Sequence, residues 1–223
     1  MVWQVIVIAL ISYLIGSINP AIILSKLLKK EDIRTQGSGN AGTTNTLRVL
    51  GKGPAALVLI VDVLKAVIAV LLGSWIGTLG NYLPEELSLL HDWALIASGV
   101  GSILGHNFPI YYGFKGGKGV ATSLGVILVI EWRIGLICLV FALVLMLASR
   151  MVSLGSISAA ILYPVLVFIL PGTAFNNRWL YLLFAIVLAL SVIIRHRANI
   201  KRLLEGKENK LWETKNDKKA KLK

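Results

Sequence analysis

Residues 54–79 read PAALVLIVDVLKAVIAVLLGSWIGTL, with two charged side chains, Asp62 and Lys65, in a largely apolar stretch. About 20 such residues form a helix long enough to cross the roughly 30 Å hydrocarbon core of a bilayer, so the stretch predicts a transmembrane helix. An unpaired charge at the bilayer centre costs about 3 kcal/mol. We therefore expect Asp62 and Lys65, at positions i and i+3, to face a helix bundle, where they pair in a structural role or line a cavity.

The same test finds six more apolar stretches, at residues 3–25, 93–106, 117–131, 134–149, 153–170 and 178–195. Hydrophobic residues make up 56% of the 223-residue chain and the mean hydropathy is +0.77. Polar side chains could not cover the surface of a soluble domain with this composition. We predict an all-α, polytopic membrane helix bundle with seven transmembrane helices, built by a single domain at residues 1–205 and followed by a basic cytoplasmic tail at residues 206–223.

The third and fourth stretches, residues 93–106 and 117–131, are short, and glycine and proline are dense around them. Broken or re-entrant backbone is tolerated at membrane depth only where protein or a water-filled cavity satisfies its polar groups. The pattern predicts short or broken helices beside a functional site.

Basic residues are distributed unequally between the two ends of the predicted spans. If the N-terminus lies outside, only Arg133 and Arg178 of the 23 Lys and Arg residues fall on the outer side, and Lys65 lies within a span. Cytoplasmic connections carry the excess of Lys and Arg in membrane proteins. We therefore predict a multi-pass protein with its N-terminus outside and its C-terminus and active site in the cytoplasm.

The net charge of +12 does not indicate a nucleic-acid partner, because the basic residues lie beside the spans. There, and along the basic tail, anionic membrane phospholipid is the expected contact. The single cysteine, Cys138, lies in an apolar stretch and excludes both an intramolecular disulfide and a cysteine-based metal site. The chain has no carboxylate cluster suited to a metal, so we expect no metal and no other cofactor.

Three predicted cytoplasmic segments carry residues suited to binding an anion. The first, residues 37–48, reads GSGNAGTTNTLR. Small residues let the backbone approach a ligand, and Ser38 or Asn40 could cap a short helix whose free N–H groups suit an anion. Arg48, one turn beyond Thr44, could bind a phosphate. The alternative is a capped surface helix with ordinary turn glycines. The candidate substrate-binding residues here are Gly39, Asn40, Thr43, Asn45 and Arg48.

The second segment, residues 105–122, reads GHNFPIYYGFKGGKGVAT. Lysines among glycines that lead into a helix predict a cationic nest for an anion. The segment is not a nucleotide-binding P-loop, because Tyr112 and Gly119 stand where that motif needs Gly and Ser or Thr. The alternative is a flexible basic anchor beside the membrane. The candidate substrate-binding residues here are His106, Asn107, Lys115, Gly116, Gly117 and Lys118.

The third segment, residues 195–206, reads RHRANIKRLLEG at the inner end of the last span. If the helix continues, His196 and Asn199 lie on one face at positions i and i+3. The basic neighbours would tend to keep His196 neutral, and a neutral imidazole can donate to or accept from a substrate hydroxyl. A histidine at a helix end is more often structural. Two other anion-adapted segments on the same side of the membrane favour the functional interpretation here.

Together with SRMVSL at residues 149–154, these segments resemble the bacterial acyl-phosphate:glycerol-3-phosphate acyltransferases, the PlsY family, over nearly the whole chain. The resemblance implies a seven-helix enzyme of the bacterial cytoplasmic (inner) membrane. It implies transfer of a fatty acyl group from acyl phosphate to glycerol 3-phosphate, which forms lysophosphatidate and phosphate in the first acylation of phospholipid synthesis. It also implies that neither acyl carrier protein nor a CoA thioester is the donor.

By the same resemblance, six residues match functional positions, with Lys115 rather than Lys118 taking the lysine position. Glu205 matches a position with a structural role. We expect Ser38, His196 and Asn199 to be catalytic. The matching positions are Ser38, Arg48, Lys115, Ser153, His196 and Asn199.

An acyl phosphate is a mixed anhydride with an activated leaving group, so positioning and anion stabilisation could suffice for catalysis without a covalent acyl-enzyme. The hydroxyl proton would then pass to a substrate phosphate oxygen, with His196 and Ser38 orienting the groups. The alternative function is a membrane anion or organophosphate transporter. Such a protein should show matching broken helices in two sequence halves, and the sequence has no internal repeat.

Overall fold

The computed structural model describes residues 2–79, 83–170 and 175–211, and the regular structure in these ranges is helical. Single 3₁₀ turns form at Ile33–Thr35 and Ile110–Tyr112. The predicted tail continues beyond the described residues at positions 212–223. The α-helices are α1 (Val2–Gly16), α2 (Pro20–Lys29), α3 (Thr43–Leu50), α4 (Lys52–Gly77), α5 (Pro84–Asn107), α6 (Val120–Ile130), α7 (Trp132–Ser149), α8 (Val152–Ile169), α9 (Arg178–Arg195) and α10 (Arg197–Leu204).

Six helical stretches of the described chain are long and apolar enough to cross a membrane. Large apolar side chains such as Leu71 and Trp75 of α4 are more than half exposed, as expected where a helix faces lipid. The predicted all-α membrane bundle is confirmed, and α6, at Val120–Ile130, is the short apolar helix. The six stretches are Val2–Lys29, Lys52–Gly77, Pro84–Tyr112, Trp132–Ser149, Val152–Ile169 and Arg178–Arg195.

The first predicted span is not one helix, because the chain breaks between α1 and α2. Pro20 cannot donate a backbone hydrogen bond, and Asn19 caps α2 instead, with its Oδ1 accepting from Ile22 N at 3.1 Å. The carbonyl of Ile18, which Ile22 would bond in a continuous helix, accepts from Lys65 Nζ at 2.7 Å. Lys65 thereby satisfies a backbone group that the break leaves open inside the bundle.

The prediction of a short third span is wrong, because α5 runs without a break for 24 residues from Pro84. Polar residues in its first turns lower the local hydropathy, so this part of the helix was not predicted as part of the span. Glu86 caps the helix by accepting from Leu83 N at 3.1 Å. The buried Asp92 accepts from two backbone N–H groups of the loop before α9, at 3.0 and 2.9 Å. These side chains therefore bind backbone groups and do not end the span.

Glycines allow helices of the bundle to approach each other with backbone contact. A Cβ at Gly105 of α5 would lie 2.2 Å from the Tyr13 carbonyl oxygen of α1. One at Gly125 of α6 would lie 2.4 Å from the Val63 carbonyl oxygen of α4. Small residues pack helices closely in membranes, where lipid is as apolar as the helix surface. This packing holds the short α6 against α4 inside the bundle.

Close contacts at two glycines of α5 show that α1 and α5 run in the same direction. A Cβ at Gly101 would lie 2.6 Å from the Ala9 carbonyl oxygen, and one at Gly105, a turn later, would lie 2.2 Å from that of Tyr13, also a turn later. Gln4 Nε2 donates to the Leu79 carbonyl at 2.8 Å at one end of the bundle, just after α4. Tyr13 Oη donates to the Phe108 carbonyl at 2.7 Å at the other end, just after α5. The three predicted anion-binding segments meet at this second end, which we call the site end.

Candidate active site

A cavity of about 680 Å³ extends from the site end into the space between α6, α7, α8 and α9. Its volume is typical of a small-molecule site. Polar side chains line the part that we call the mouth: Ser38, Asn40, Thr43, Arg48, Lys118, Ser153, His196, Asn199, Arg202 and Glu208. Apolar side chains line the deeper part, the apolar arm, and they include Leu124, Ile127, Cys138, Leu139, Ala142, Ala159, Ala160, Tyr163 and Leu188.

Asn45 shapes the loop that carries Ser38. Its Oδ1 accepts from Ser38 N at 2.8 Å, and its Nδ2 donates to the carbonyls of Ile33 and Gln36 at 3.1 and 2.9 Å. Gly37 has a φ of 58°, and a Cβ there would lie 2.3 Å from Asn45 Oδ1, so the turn requires glycine. The buried Asn45 amide therefore holds the loop at the cavity wall.

The prediction that Ser38 or Asn40 caps a helix is wrong, because α3 starts after Gly42, which has no side-chain cap. Both residues line the cavity instead. Helix α3 places Arg48 one turn beyond Thr44 along the same wall. The predicted substrate-binding residues of this segment that line the cavity are Gly39, Asn40, Thr43, Asn45 and Arg48.

Two arginines hold the glycine-rich loop, residues 108–119, against the bundle. Arg34 Nη1 donates to the Lys115 carbonyl at 2.9 Å on one side of the loop. Arg195 Nη2 donates to the Gly117 carbonyl at 2.6 Å on the other side. The sequence patterns assigned neither arginine to the site. Arg195 opens the third predicted segment and Arg34 lies three residues before the first, but neither was named as a candidate site residue.

Gly116 and Gly117 pack against His106 and do not line the cavity. A Cβ at Gly117 would lie 2.1 Å from His106 Nε2, and one at Gly116 would lie 2.0 Å from the His106 carbonyl oxygen. Glycine is required at both positions by this close approach of the loop to α5. Gly119, with a φ of 78°, turns the chain into α6 at the cavity wall.

The two lysines of the loop lie in different places. Lys115 is exposed outside the cavity lining. Lys118 lines the cavity, and its Nζ donates to Asn199 Oδ1 at 2.5 Å. Burial, and then the nearby charge of Arg202, lower the pKa of Lys118 to about 8, so the side chain is still mostly protonated at neutral pH. The structure thus brings Lys118 into the predicted anion site and leaves Lys115 outside it.

Asp62, Lys65 and His106 form a buried cluster behind the loop, and each is less than 5% exposed. Lys65 Nζ lies 2.7 Å from Asp62 Oδ1 and 3.0 Å from His106 Nδ1. The ammonium group also donates to the Ile18 carbonyl, so it contacts three polar groups, and its contact with Asp62 is an ion pair. His106 is thus engaged by this cluster at the cavity wall. The neighbouring Asn107 is buried outside the cavity lining, and its side-chain amide has no hydrogen-bond partner among the described residues.

His196 stands at a break between α9 and α10, so the last span does not continue through it as one helix. Its Nδ1 lies 2.8 Å from the Val192 carbonyl oxygen. Since a carbonyl only accepts, Nδ1 carries the hydrogen, and Nε2 of the neutral ring is an acceptor. Burial, followed by the charge of Lys118, lowers the pKa of His196 to about 4, so the ring is neutral at physiological pH.

Asn199, one turn after His196, connects oppositely charged side chains. Its Oδ1 accepts from Lys118, and its Nδ2 donates to Glu208 Oε1 at 2.8 Å. The other carboxylate oxygen of Glu208 accepts from Arg202 Nε at 2.8 Å. These bonds fix which way the Asn199 amide points at the mouth of the cavity.

Glu208 was missed by the sequence analysis, which assigned the structural role to Glu205. The Glu208 side chain is 4% exposed, whereas that of Glu205 is 41% exposed and its ion pairs with lysines are 3.8 and 4.0 Å long. The segment that holds Glu208 folds back onto the bundle, where Leu211 N donates to the Arg150 carbonyl at 2.7 Å. An acidic residue in a basic stretch was the only sequence signal for Glu208, and it lay in the predicted tail.

Unpaired hydroxyls at the cavity wall point to a polar ligand. Among the described residues, the buried hydroxyl oxygens of Thr43, Ser123 and Ser153 line the cavity without a hydrogen-bond partner. An unsatisfied buried hydroxyl costs about 1 to 3 kcal/mol, and a bound ligand removes this cost by bonding to it. Because Arg48 and Lys118 line the same cavity, the ligand that fits is an anion.

The mouth contains the three predicted catalytic residues, Ser38, His196 and Asn199, within one cavity. In the part of the chain that the structure describes, no three His, Cys, Asp or Glu side chains are grouped to hold a metal ion. The arrangement can bind an anion through charged donors and orient a hydroxyl through the His196 acceptor.

Sequence comparison identifies related proteins over most of the chain. A family model described as glycerol-3-phosphate acyltransferase matches residues 6–206. The glycerol-3-phosphate acyltransferase of Thermoanaerobacter pseudethanolicus is 45% identical over 203 residues, which cover 91% of this chain and 93% of the relative. That of Halalkalibacterium halodurans is also 45% identical, over 200 residues that cover 90% of this chain and 92% of the relative.

Two crystal structures of PlsY, an integral membrane glycerol 3-phosphate acyltransferase, are similar to this fold. The glycerol 3-phosphate form has a TM-score of 0.80 and the lysophosphatidic acid form one of 0.77. Both are 36% identical to this chain, and the match covers 92% of it and 94% of PlsY. The family match includes all three anion-binding segments and ends two residues before Glu208. By its sequence and its fold, the chain belongs to the glycerol-3-phosphate acyltransferase family.

Proposed function

We propose that this acyltransferase takes a fatty acyl group from acyl phosphate and transfers it to the 1-hydroxyl of glycerol 3-phosphate, without a covalent acyl-enzyme. The products are lysophosphatidate and phosphate. The observation that carries the proposal is one cavity that joins a cationic, hydroxyl-lined mouth to an apolar arm. The mouth suits the phosphate groups of both substrates, and the arm suits a fatty acyl chain.

Arg48, Lys118 and Arg202 are the cations that line the mouth, and they are proposed to bind the substrate phosphates. Charge-assisted hydrogen bonds to an anion are about twice as strong as neutral ones. The Lys118 ammonium group uses one donor on Asn199 and has two more for a ligand. The free hydroxyls of Thr43 and Ser153 add neutral donors beside these charges.

In the proposed reaction, the hydroxyl oxygen attacks the acyl carbonyl carbon, a new C–O bond forms, and the C–O bond of the mixed anhydride breaks to release phosphate. His196 Nε2 accepts a hydrogen bond from the attacking hydroxyl and orients it. With its pKa near 4, His196 is a weak base, so the hydroxyl proton passes to a substrate phosphate oxygen. Positioning and stabilisation of negative charge supply the rate acceleration.

Two observations support acyl phosphate as the donor and acyl transfer to glycerol 3-phosphate as the reaction. PlsY has been crystallised in glycerol 3-phosphate and lysophosphatidic acid forms, and we propose that this chain binds the same acceptor and product. A mouth lined with cations matches a phosphate leaving group. From the resemblance of the site segments to the acyl-phosphate-dependent family, we further propose that CoA thioesters and acyl carrier protein are not donors. A transporter would need a route to the other end of the bundle, whereas the apolar arm ends at the buried Tyr163.

We also propose a seven-span arrangement with the site end in the cytoplasm of a bacterial inner membrane. Helix α6 has 11 residues, about 16 Å, and is proposed as a short seventh span that begins after Lys118 of the glycine-rich loop. Thiol labelling tests the orientation in a Cys138→Ser background. We expect a cysteine at Leu87 to react from outside and one at Lys207 to react only after permeabilisation. Reversed labelling would separate the site from cytoplasmic glycerol 3-phosphate.

The reaction is tested with purified protein in lipid nanodiscs and palmitoyl phosphate as donor. We expect phosphate release only when glycerol 3-phosphate is present, with one lysophosphatidate formed per phosphate. The exposed Lys115→Ala variant serves as a matched control for Lys118→Ala. Phosphate release without the acceptor, or equal turnover with palmitoyl-CoA, would contradict the proposal.

A further inference from the structure

The apolar arm of the cavity ends at a group of packed aromatic rings. Tyr163 lines the arm, and its hydroxyl lies 3.3 Å from that of Tyr181. Tyr181 stacks on Phe175 with a centroid distance of 4.6 Å, and Phe175 stacks on Phe184 at 6.1 Å. Tyr181, Phe175 and Phe184 are buried and do not line the cavity. They fill the space behind Tyr163, so the arm does not continue past its ring.

Two helices place the end of the arm at the same depth. Tyr163 lies eleven residues from Val152 at the site end of α8, and Cys138 lies eleven residues from Ser149 at the site end of α7. At about 1.5 Å per residue, both side chains lie about 16 Å from the site end of the bundle. Both side chains line the cavity, so α7 and α8 each contribute a residue to its closed end.

The depth of the arm corresponds to a definite length of alkyl chain. Ser153 and Tyr163 both line the cavity and are ten residues apart on α8, about 15 Å. An extended alkyl chain advances about 1.25 Å per methylene, given carbon–carbon bonds of about 1.5 Å at the tetrahedral angle. The arm therefore holds about 12 methylenes between the level of Ser153 and the Tyr163 ring.

We propose that Tyr163, supported by Tyr181 and flanked by Cys138, is the floor that sets the longest acyl chain this enzyme transfers efficiently. The proposal rests on the proposed function, because it takes the apolar arm as the acyl site. Tyr163 is suited to this role because it is 1% exposed and its ring meets Tyr181 edge-to-face at 6.3 Å. A longer chain must displace this packed ring or leave the arm sideways, and either event loses buried contacts.

Small side chains above the floor keep the arm open. Ala142 of α7 and Ala159 and Ala160 of α8 line the cavity between the mouth and Tyr163. Ala159 is six residues from Ser153, about 9 Å along the helix. A large side chain at Ala159 would therefore raise the floor, just as removal of the Tyr163 ring would lower it. The two changes predict opposite shifts in chain-length preference.

The test measures kcat/KM for octanoyl, lauroyl, myristoyl and stearoyl phosphate at saturating glycerol 3-phosphate. We expect Tyr163→Ala to raise the stearoyl-to-myristoyl ratio at least about tenfold, because each methylene buried contributes about fourfold. Ala159→Phe should lower the lauroyl-to-octanoyl ratio by a similar factor, because its ring leaves room for about seven methylenes, enough for octanoyl but not for lauroyl. Tyr163→Phe keeps the ring and should keep the wild-type ratios, as should Val165→Phe, which places the same phenylalanine side chain on the exposed side of α8.

A binding measurement tests the role of Tyr163 independently of the donor that the proposed function assumes. Binding of lysophosphatidates with the same four chains is measured by thermal stabilisation of each purified variant, and the same ratio shifts are expected. If acyl phosphate fails as donor, the proposed function falls while the binding ratios still decide the floor. If Tyr163→Ala does not fold, Ala159→Phe decides alone. Unchanged ratios in the folded variants, by turnover and by binding, would overturn the assignment of Tyr163.

Discussion

Replacement of His196 by Gln distinguishes an orienting histidine from a general base. Gln retains an amide that can accept from a hydroxyl but cannot take up its proton. In the structure the ring donates to Val192 through Nδ1 and has a pKa lowered to about 4 by burial and by Lys118. A His196 base would therefore lose activity only below about pH 4, where the ring becomes protonated. A phosphate monoester such as glycerol 3-phosphate instead takes up a proton near pH 6, where the dianion becomes a monoanion.

The two mechanisms differ most clearly at pH 5. A base with a pKa of about 4 would leave about 90% of the activity at that pH, whereas a required phosphate dianion with a pKa near 6 would leave about 10%. We expect the lower value in the parent enzyme, and the same relative profile in His196→Gln. The variant should be slower by about 10- to 100-fold, the effect of one weakened hydrogen bond.

The assay is a pH–rate profile between about pH 3 and 9 at saturating glycerol 3-phosphate. Arg197→Gln is the matched control, because Arg197 is an exposed neighbour and its replacement should leave the profile and rate near those of the parent. The reasoning is refuted if the parent shows an acid limb near pH 4 that disappears in His196→Gln together with a loss above about 10⁴-fold. That result would make His196 the proton acceptor.

Other predictions follow from the cavity and its supports. In steady-state kinetics, Lys118→Ala should lower kcat/KM for glycerol 3-phosphate by the equivalent of about 2 to 4 kcal/mol, and Lys115→Ala by less than about 1 kcal/mol. The reverse order would contradict the assignment of Lys118 to the anion site. Because the pKa of Lys118 is about 8, deprotonation above that pH should raise the KM, and Lys118→Arg should abolish this alkaline rise. Asp62→Asn removes the countercharge of a buried lysine and should destabilise the protein by about 3 to 5 kcal/mol, seen as a lower Tm in detergent; an unchanged Tm would contradict the structural role. Glu208→Ala should lower kcat by about 10-fold or more, whereas Glu205→Ala should remain within about twofold of the parent, and equal losses would contradict the positioning of Asn199.

Most transmembrane helices could be predicted because length and apolarity are local properties of the chain. The predicted spans 134–149, 153–170 and 178–195 agree within two residues with α7, α8 and α9. The two errors also have local causes. Pro20 divides an apolar stretch that a hydropathy window averages, and the polar first turns of α5 lower the window although their side chains bind backbone groups.

The sequence alone also determined which segments meet at the site. The three anion-adapted segments all follow or precede predicted spans on the same predicted side of the membrane, so the alternation of the spans was expected to bring them together. The pattern of Asp62 and Lys65 likewise indicated a buried pair, because neither charge is stable alone in lipid. Membership of the acyltransferase family follows from the same segments.

Only the tertiary structure decided how the individual side chains are used. Lys115 and Lys118 have nearly the same sequence environment, but the contacts of Arg34 and Asn199 leave one outside the cavity and hold the other within it. Glu208 and the depth of the arm to Tyr163 were equally undetectable, since their neighbours lie on other helices. Hydropathy and spacing describe neighbours along the chain, whereas burial, hydrogen-bond partners and cavity shape depend on residues that folding brings together from distant parts of the sequence.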